Sequence, residues 1–383
     1  MLGLFVHDHK FPKTNNIFYH SYGFDGEFFN RYLSIFNRLT IIGREKEFII
    51  PLEKEADKAP TEVNFVTIKD LKQLKNKGVR DSLNKEIINS DFLVIRVPSI
   101  LGLFAVKQAR KYKKPYLIEV VGCSWDAIAN KGFKNLIPAI GITYFTKKAI
   151  KSADYVVYVT EEFLEKRYPT KGKNIACSNV TLNSVNDDDL NARLQRIKQI
   201  NSKDKIVIGT CATVDVIYKG QQDVIAALAR LKQEGYSNIE YQLVGGGDTV
   251  FLKNYAEKHQ VSDQVIFLGA LKHDLVFEWL EEIDLYVHPS KQEGLSRAII
   301  EAMSKGCPVF GADAGGIHEL IDDQYIFGKG NVQQICDIYK KINSENLREQ
   351  AKKNHERSKK YLKSVLYSRR EKFFNDFIKQ SEG

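Results

Sequence analysis

Short apolar runs alternate with segments of helical period along the whole chain. In the first half, Leu2–His7, Leu39–Ile42, Val63–Thr67, Phe92–Arg96, Tyr116–Val121 and Tyr155–Thr160 read as strands. Asp25–Phe36, Leu101–Tyr112, Lys134–Lys151 and Glu161–Arg167 read as helices between them. This alternation predicts a parallel sheet covered on both faces. The pattern restarts near residue 205. Lys205–Gly209, Ile239–Val244, Val265–Leu268, Leu285–His288 and Pro308–Phe310 read as strands, and Lys219–Gln233, Thr249–His259, Leu275–Glu282 and Arg297–Lys305 as helices. The fold class is therefore α/β, with two doubly wound Rossmann-like domains in series, 1–182 and 205–345. The polar stretch 183–204 reads as their connector. The tail, 346–383, reads as one long Lys/Arg-rich helix whose Tyr361, Leu362, Phe373 and Phe374 form a buried stripe.

The 383 residues suit two domains, and 43% apolar content places both among globular folds. The opening run Met1–Val6 is too short for a signal peptide. No window of about 18 apolar residues predicts a membrane span. Five scattered cysteines without a Cys-x-x-Cys pair predict neither a disulfide framework nor a zinc site, which points to a reducing cytoplasm. The formal charge of +9 is one-sided. Residues 1–180 carry 29 Lys/Arg against 19 Asp/Glu, a net of +10, and the remainder nets −1. Lys107, Arg110, Lys111, Lys113, Lys114, Lys131, Lys134, Lys147, Lys148 and Lys151 crowd one stretch of this basic half. They predict contact with an anionic membrane surface, against the alternative of a solvated face. No nucleic-acid motif accompanies them.

The chemistry concentrates in His288-Pro-Ser-Lys-Gln-Glu293-Gly294-Leu295-Ser296-Arg297-Ala-Ile-Ile-Glu301. A strand ends in a Pro-Ser turn, a glycine follows, and a helix opens near Ser296. A helix N-terminus beyond a strand's carboxyl end offers N–H groups and a positive dipole to an anion. The flanking carboxylates of Glu293 and Glu301 would instead accept hydrogen bonds from hydroxyls. A phosphate between two polyols describes a sugar nucleotide. Lys219-Gly220 follows another strand and opens the next helix, where a lysine opposes the dipole and so suggests an anion to be met. Gly245-Gly246-Gly247 reads as a tight turn rather than a phosphate cradle. Asp187–Asp189 read as helix capping, not as metal ligands.

These motifs resemble those of glycosyltransferase family 4, a retaining family of the GT-B fold. The resemblance rests on the Glu293–Glu301 pair, Lys219-Gly220, Val244-Gly-Gly-Gly-Asp248, Phe267-Leu-Gly269 and Ala314-Gly-Gly-Ile-His-Glu319, strongest over 205–325. It implies two lobes facing across a cleft, with the C-terminal helix crossing back onto the first. It implies Glu293 and Lys219 as catalytic residues. The donor would lie against Thr213, Lys219, Gly269, Leu271, Glu293, Gly294, Leu295, Ser296 and Glu301: Glu293 on the sugar hydroxyls, Glu301 on the ribose, the Gly294–Ser296 amides on the diphosphate and Gly269–Leu271 along the base. Two departures stand out. Thr213 occupies the place of a frequent arginine, and Val121-Gly122 that of a frequent histidine. Trp125 and Asp126 are candidates for the acceptor side, or else a packed tryptophan and a capping aspartate. Gly23, Asp25 and Glu27 are candidates for the acceptor side too, or else the acidic start of a helix.

The expected activity is retaining transfer of a sugar, most simply from a UDP-sugar, to a saccharide or lipid-linked saccharide in cell-surface polysaccharide synthesis. No metal or other cofactor is expected, because Lys219 and the helix N-terminus supply the positive charge. The expected place is the inner face of a cytoplasmic membrane, and the Lys-, Asn- and Ile-rich composition points to a bacterial source. The alternatives are a sugar-nucleotide epimerase of the same fold, which needs no acceptor, and a non-catalytic saccharide- or nucleotide-binding relative.

Overall fold

A computed structural model describes residues 1–21, 23–48, 58–129, 136–200 and 205–382. Lys131, Lys134 and the last residues of the expected connector, 201–204, lie outside the described residues. The chain forms two compact units, Met1–Cys177 with Tyr367–Gly383, and Ser178–Leu366.

The first unit contains β1 (Leu2–Thr14), β2 (Ile17–Phe18), α1 (Gly26–Leu33), β3 (Arg38–Glu47), β4 (Val63–Ile68), α2 (Lys77–Asn89), β5 (Phe92–Val97), α3 (Ile100–Lys111), β6 (Tyr116–Val120), α4 (Ser124–Ala129), α5 (Leu136–Lys151), β7 (Tyr155–Tyr158), α6 (Phe163–Arg167) and β8 (Lys173–Ala176). Its strands run in the order β4-β3-β1-β5-β6-β7-β8, with β2 a short partner of β1. The β1–β2 pair is antiparallel and the other pairings are parallel. Every residue of β5 and β7 is buried, as strands covered on both faces demand. β1 runs well past the expected His7. It keeps parallel pairing with β3 as far as Lys13, across an irregularity between Val6 and Lys10, and then turns back through β2. Buried within this unit, Arg96 Nε and Nη2 donate to Glu119 Oε2 at 3.1 and 2.9 Å, and Tyr32 OH donates to Glu119 Oε1 at 2.8 Å. Burial alone would push the Glu119 carboxyl up, but Arg96 and its neighbouring arginines hold it below its ordinary value.

The second unit contains α7 (Asp187–Lys198), β9 (Ile206–Cys211), α8 (Gln221–Gln233), β10 (Ile239–Val244), α9 (Val250–Lys258), β11 (Val265–Gly269), α10 (His273–Glu282), β12 (Leu285–His288), α11 (Arg297–Ser304), β13 (Val309–Ala312), β14 (Ile326–Phe327), α12 (Val332–Lys340) and α13 (Ser344–Ser358). Its parallel strands run β11-β10-β9-β12-β13-β14. The order reverses direction between β9 and β12, which is where an open parallel sheet leaves a crevice at its carboxyl ends.

Two expectations need correction. The stretch 183–204 is not a bare connector. It contains α7, which belongs to the second unit and anchors there through buried Arg193, whose Nη1 and Nη2 donate to the carbonyls of Ile283 and Leu280, both at 2.5 Å. Asp187, Asp188 and Asp189 occupy the first turn of this helix, where negative charge suits the dipole. The tail is not one helix. It breaks between α13 and α14 (Lys363–Glu382), because Leu182 N–H donates to Tyr361 O at 2.8 Å and Lys363 N–H donates to Leu182 O at 2.9 Å. Those backbone groups pair outside the helix, and Leu362 leaves helical geometry at ψ 135°. From Tyr367 onward the chain rejoins the first unit.

Candidate functional site

Three loops at the carboxyl ends of β9, β12 and β13 interlock in the second unit. The loop after β9 closes in a short 3₁₀ turn, Ile217–Lys219, and α8 then starts at Gln221 rather than at Lys219. Gly220 sits between them at φ +78°, and a side chain there would meet the Pro289 carbonyl at 2.1 Å. Only glycine lets this turn lie against the Pro289-Ser290 turn. Lys291 N–H completes the junction by donating to Tyr218 O at 2.8 Å. The third loop joins likewise. Gly316 N–H donates to Gly294 O at 2.8 Å, and Gly315, at φ +57°, passes so close to the Glu293 carbonyl that a Cβ would approach it to 2.1 Å.

This packing brings Lys219 and Glu293 together although 74 residues separate them. Lys219 Nζ donates to Glu293 Oε1 at 2.8 Å, and His288 Nε2 lies 3.0 Å from the same oxygen. A carboxylate only accepts, so the imidazole proton sits on Nε2 and donates. Nδ1 faces Tyr286 OH at 3.4 Å, and Ser296 Oγ lies 3.3 Å from Nε2. Burial pushes the Glu293 carboxyl up, but the His288 hydrogen bond and the electrostatic pull of His288 and Lys219 outweigh it, holding the group down to about 2. Glu293 is thus ionised throughout the physiological range.

Ser296 caps α11, its Oγ accepting from Ile299 N–H at 3.3 Å. Gly294 and Leu295 are half-buried in the turn before it. Glu301 sits buried one turn into α11. His273, at the start of α10, places Nε2 2.8 Å from Glu301 Oε1, and Arg297 approaches that oxygen to 3.9 Å. The hydrogen bond to Glu301 raises the His273 imidazole above its ordinary value, against partial burial. Thr213 is exposed, and its carbonyl accepts from Gln221 Nε2 at 2.9 Å. Gly269 ends β11 and accepts from Gly245 N–H at 2.8 Å, which makes Gly245–Gly247 a strand-end turn; Leu271 lies half-buried just beyond. The donor-side candidates therefore gather on one end of one sheet. His288, Tyr286 and His273 join them without having been singled out from sequence, since their partners lie beyond turns whose shape the sequence alone does not state.

The acceptor-side candidates all lie in the first unit. Gly23 is exposed at φ +75°. Asp25 caps α1 by accepting from Phe28 N–H at 3.0 Å, and Glu27 accepts from Tyr367 OH at 3.1 Å. Trp125 is half-buried in α4, and Asp126 faces Arg167 at 4.0 Å. Among the described residues no group of three or more His, Cys, Asp or Glu side chains is placed to hold a metal, and no helix is long and apolar enough to cross a membrane.

Residues 192–360, nearly all of the second unit, match the family described as glycosyl transferases group 1. Protein CapJ of Staphylococcus aureus is 35% identical over 357 residues, covering 91% of this chain and 88% of the relative. The lipopolysaccharide core biosynthesis mannosyltransferase LpsB of Rhizobium meliloti is 34% identical over 70 residues, 18% of this chain and 19% of that one. Among solved structures, Alr3699/HepE of Anabaena in complex with UDP aligns with a TM-score of 0.66 at 16% identity, over 98% of this chain and 100% of that one. That likeness extends to the two-domain GT-B fold.

Proposed function

This chain belongs to the group 1 glycosyl transferases and is a glycosyltransferase, and on that footing we propose that it moves a sugar from a UDP-sugar to a lipid-linked saccharide, with retention at the anomeric carbon. The observation that carries the reading is the Lys219–Glu293–His288 cluster beside the Ser296-capped helix, at the point where the strand order reverses. Both Lys219 and His288 bond Oε1 of Glu293. That geometry leaves Oε2 to accept from donor sugar hydroxyls. Glu301, steadied on Oε1 by His273, is the partner for ribose hydroxyls.

In the proposed step the bond between the anomeric carbon and the β-phosphate oxygen breaks. The Lys219 ammonium and the amides of Gly294–Ser296 take up the charge developing on the diphosphate, so no metal is needed. The acceptor oxygen bonds to the same face of the sugar, and its proton passes to the departing phosphate oxygen. The UDP complex of Anabaena HepE supports the nucleotide, and the lipopolysaccharide-core role named for LpsB supports a cell-surface polysaccharide as the product. The +10 net charge of residues 1–180 supports work at the inner face of an anionic membrane.

The test is to incubate the protein with UDP-, GDP- and ADP-sugars, with and without a lipid-linked saccharide extract, and to follow nucleotide release and product configuration by NMR. Release that requires acceptor, with an unchanged anomeric configuration in the product, supports the proposal. A changed sugar with donor alone marks an epimerase. Nucleotide binding without release under any condition marks a non-catalytic binder. Inversion in the product removes the retaining step.

A further inference from the structure

The membrane contact proposed above leaves open which surface makes it, and α5 carries the features such a surface needs. At 100° per residue its buried face is formed by Ala139, Thr146, Ala149 and Ile150. The opposite face carries Ile137, Ile140 and Tyr144, with Phe145 beside them; these side chains are 83%, 59%, 61% and 57% exposed. Isolated exposed apolar residues are ordinary, but four large ones along one helix face form a patch that calls for a partner. The Tyr144 and Phe145 rings pack edge to face, 5.4 Å apart, within it.

Charge identifies the partner. The same face continues into exposed Lys147, Lys148 and Lys151. The basic end of α3 lies alongside: Arg110 Nη2 donates to Ala149 O at 3.1 Å and to Ser152 Oγ at 2.5 Å, and Lys107 and Lys111 are exposed on that helix. Neither α3 nor α5 contains an acidic residue, and none occurs in 97–118 or 127–153. An apolar stripe with an aromatic pair, running into lysines on a helix without acidic residues, matches the interface of an anionic bilayer, where apolar side chains enter the acyl boundary and lysines reach the phosphates. A protein partner or a second copy of this chain would have to supply both an apolar groove and a cluster of carboxylates.

We propose that α5 lies in the surface of an anionic membrane, inserting Ile137, Ile140, Tyr144 and Phe145 and holding lipid phosphates with Lys147, Lys148 and Lys151. The inference rests on the membrane reading and names its surface. The experiment is co-sedimentation of the full chain with phosphatidylcholine vesicles, with and without about one-third phosphatidylglycerol, at low and at physiological salt. The wild type binds the anionic vesicles at both salt concentrations. The variant I137S/I140S/Y144S/F145S keeps the wild-type melting temperature, since its sites are exposed. Its bound fraction falls about tenfold or more at physiological salt, where charge attraction alone is screened. The variant K147Q/K148Q/K151Q loses the preference for phosphatidylglycerol. If the wild type binds anionic vesicles and both variants bind equally well, the membrane reading stands and this surface is the wrong one. If the wild type binds no vesicle, both fall. A dimer seen by light scattering that the serine variant dissolves, with vesicle binding unchanged, assigns the patch to a second copy instead and overturns the proposal.

Discussion

Glu293 takes hydrogen bonds from an ammonium and an imidazole on a single oxygen, and most of what the site can do follows from that. Its carboxyl, held from 4.5 down to about 2, stabilises the fold above pH 4.5, and this contribution drains away as the pH falls toward 2. Catalysis should therefore show no acid limb from Glu293 between pH 4 and 7. His288→Ala removes the hydrogen bond that contributes most to the depression, so the carboxyl moves up toward its ordinary value. The acid limb of kcat/KM then moves to higher pH, which a pH–rate profile of the two proteins measures. A histidine with a merely structural part would lower activity evenly at all pH values. In the proposed step Lys219 faces the departing diphosphate, so Lys219→Ala should lower kcat about 10²- to 10³-fold, by analogy with loss of one preorganised charge-stabilising donor. Steady-state kinetics with saturating donor reads it directly.

Among the elements, β1 shows what periodicity cannot announce. The apolar run ends near Val6, so the sequence reading stops the strand at His7, yet the chain stays extended to Thr14 because β3 continues to pair with it. His9 then stacks on Phe24 at 4.0 Å and lies 2.6 Å from Ser21 Oγ. Burial, with Arg96 and Arg44 nearby, pushes the His9 imidazole from 6.5 down to about 4. The unfolded chain takes up this proton near pH 6.5 and the folded one does not until about pH 4. Stability from His9 is thus complete above pH 6.5 and falls as the pH drops through that window, by up to about 3 kcal/mol. Urea denaturation of His9→Gln at pH 7 and pH 4.5 should show a smaller pH slope than the wild type. Some slope remains, because half-buried His7 is lowered in the same sense. Strand and helix alternation was legible because continuous apolar runs mark covered strands. α2 was not, because its apolar positions are sparse and only Leu83 and Ile87 are buried. The Lys219–Glu293 pair was legible as two motifs but not as one ion pair, since their meeting depends on Gly220 lying against Pro289.

In the molecule as a whole, chain order and packing part company at the tail. A pattern that reads as one helix is divided by the pairing of Tyr361 and Lys363 with Leu182, and its last stretch serves the first unit. There Phe373 and Phe377 pack on Tyr155, Phe377 on Phe92, and Phe374 near Tyr32. Phe374 is fully buried, so Phe374→Ala should cost about 3–5 kcal/mol in urea denaturation even though it lies near the end of the chain. The family match, by contrast, stays within 192–360, where the donor-side candidates lie. On the reading proposed above, a nucleoside diphosphate seats against these residues of the second unit. Titration calorimetry with UDP, and with GDP and ADP in parallel, decides this. Wild-type protein should bind one of the three, and Lys219→Ala and Glu301→Ala should each weaken that binding about tenfold or more. Wild-type protein that binds none of them, or variants that bind as tightly as the wild type, would contradict it.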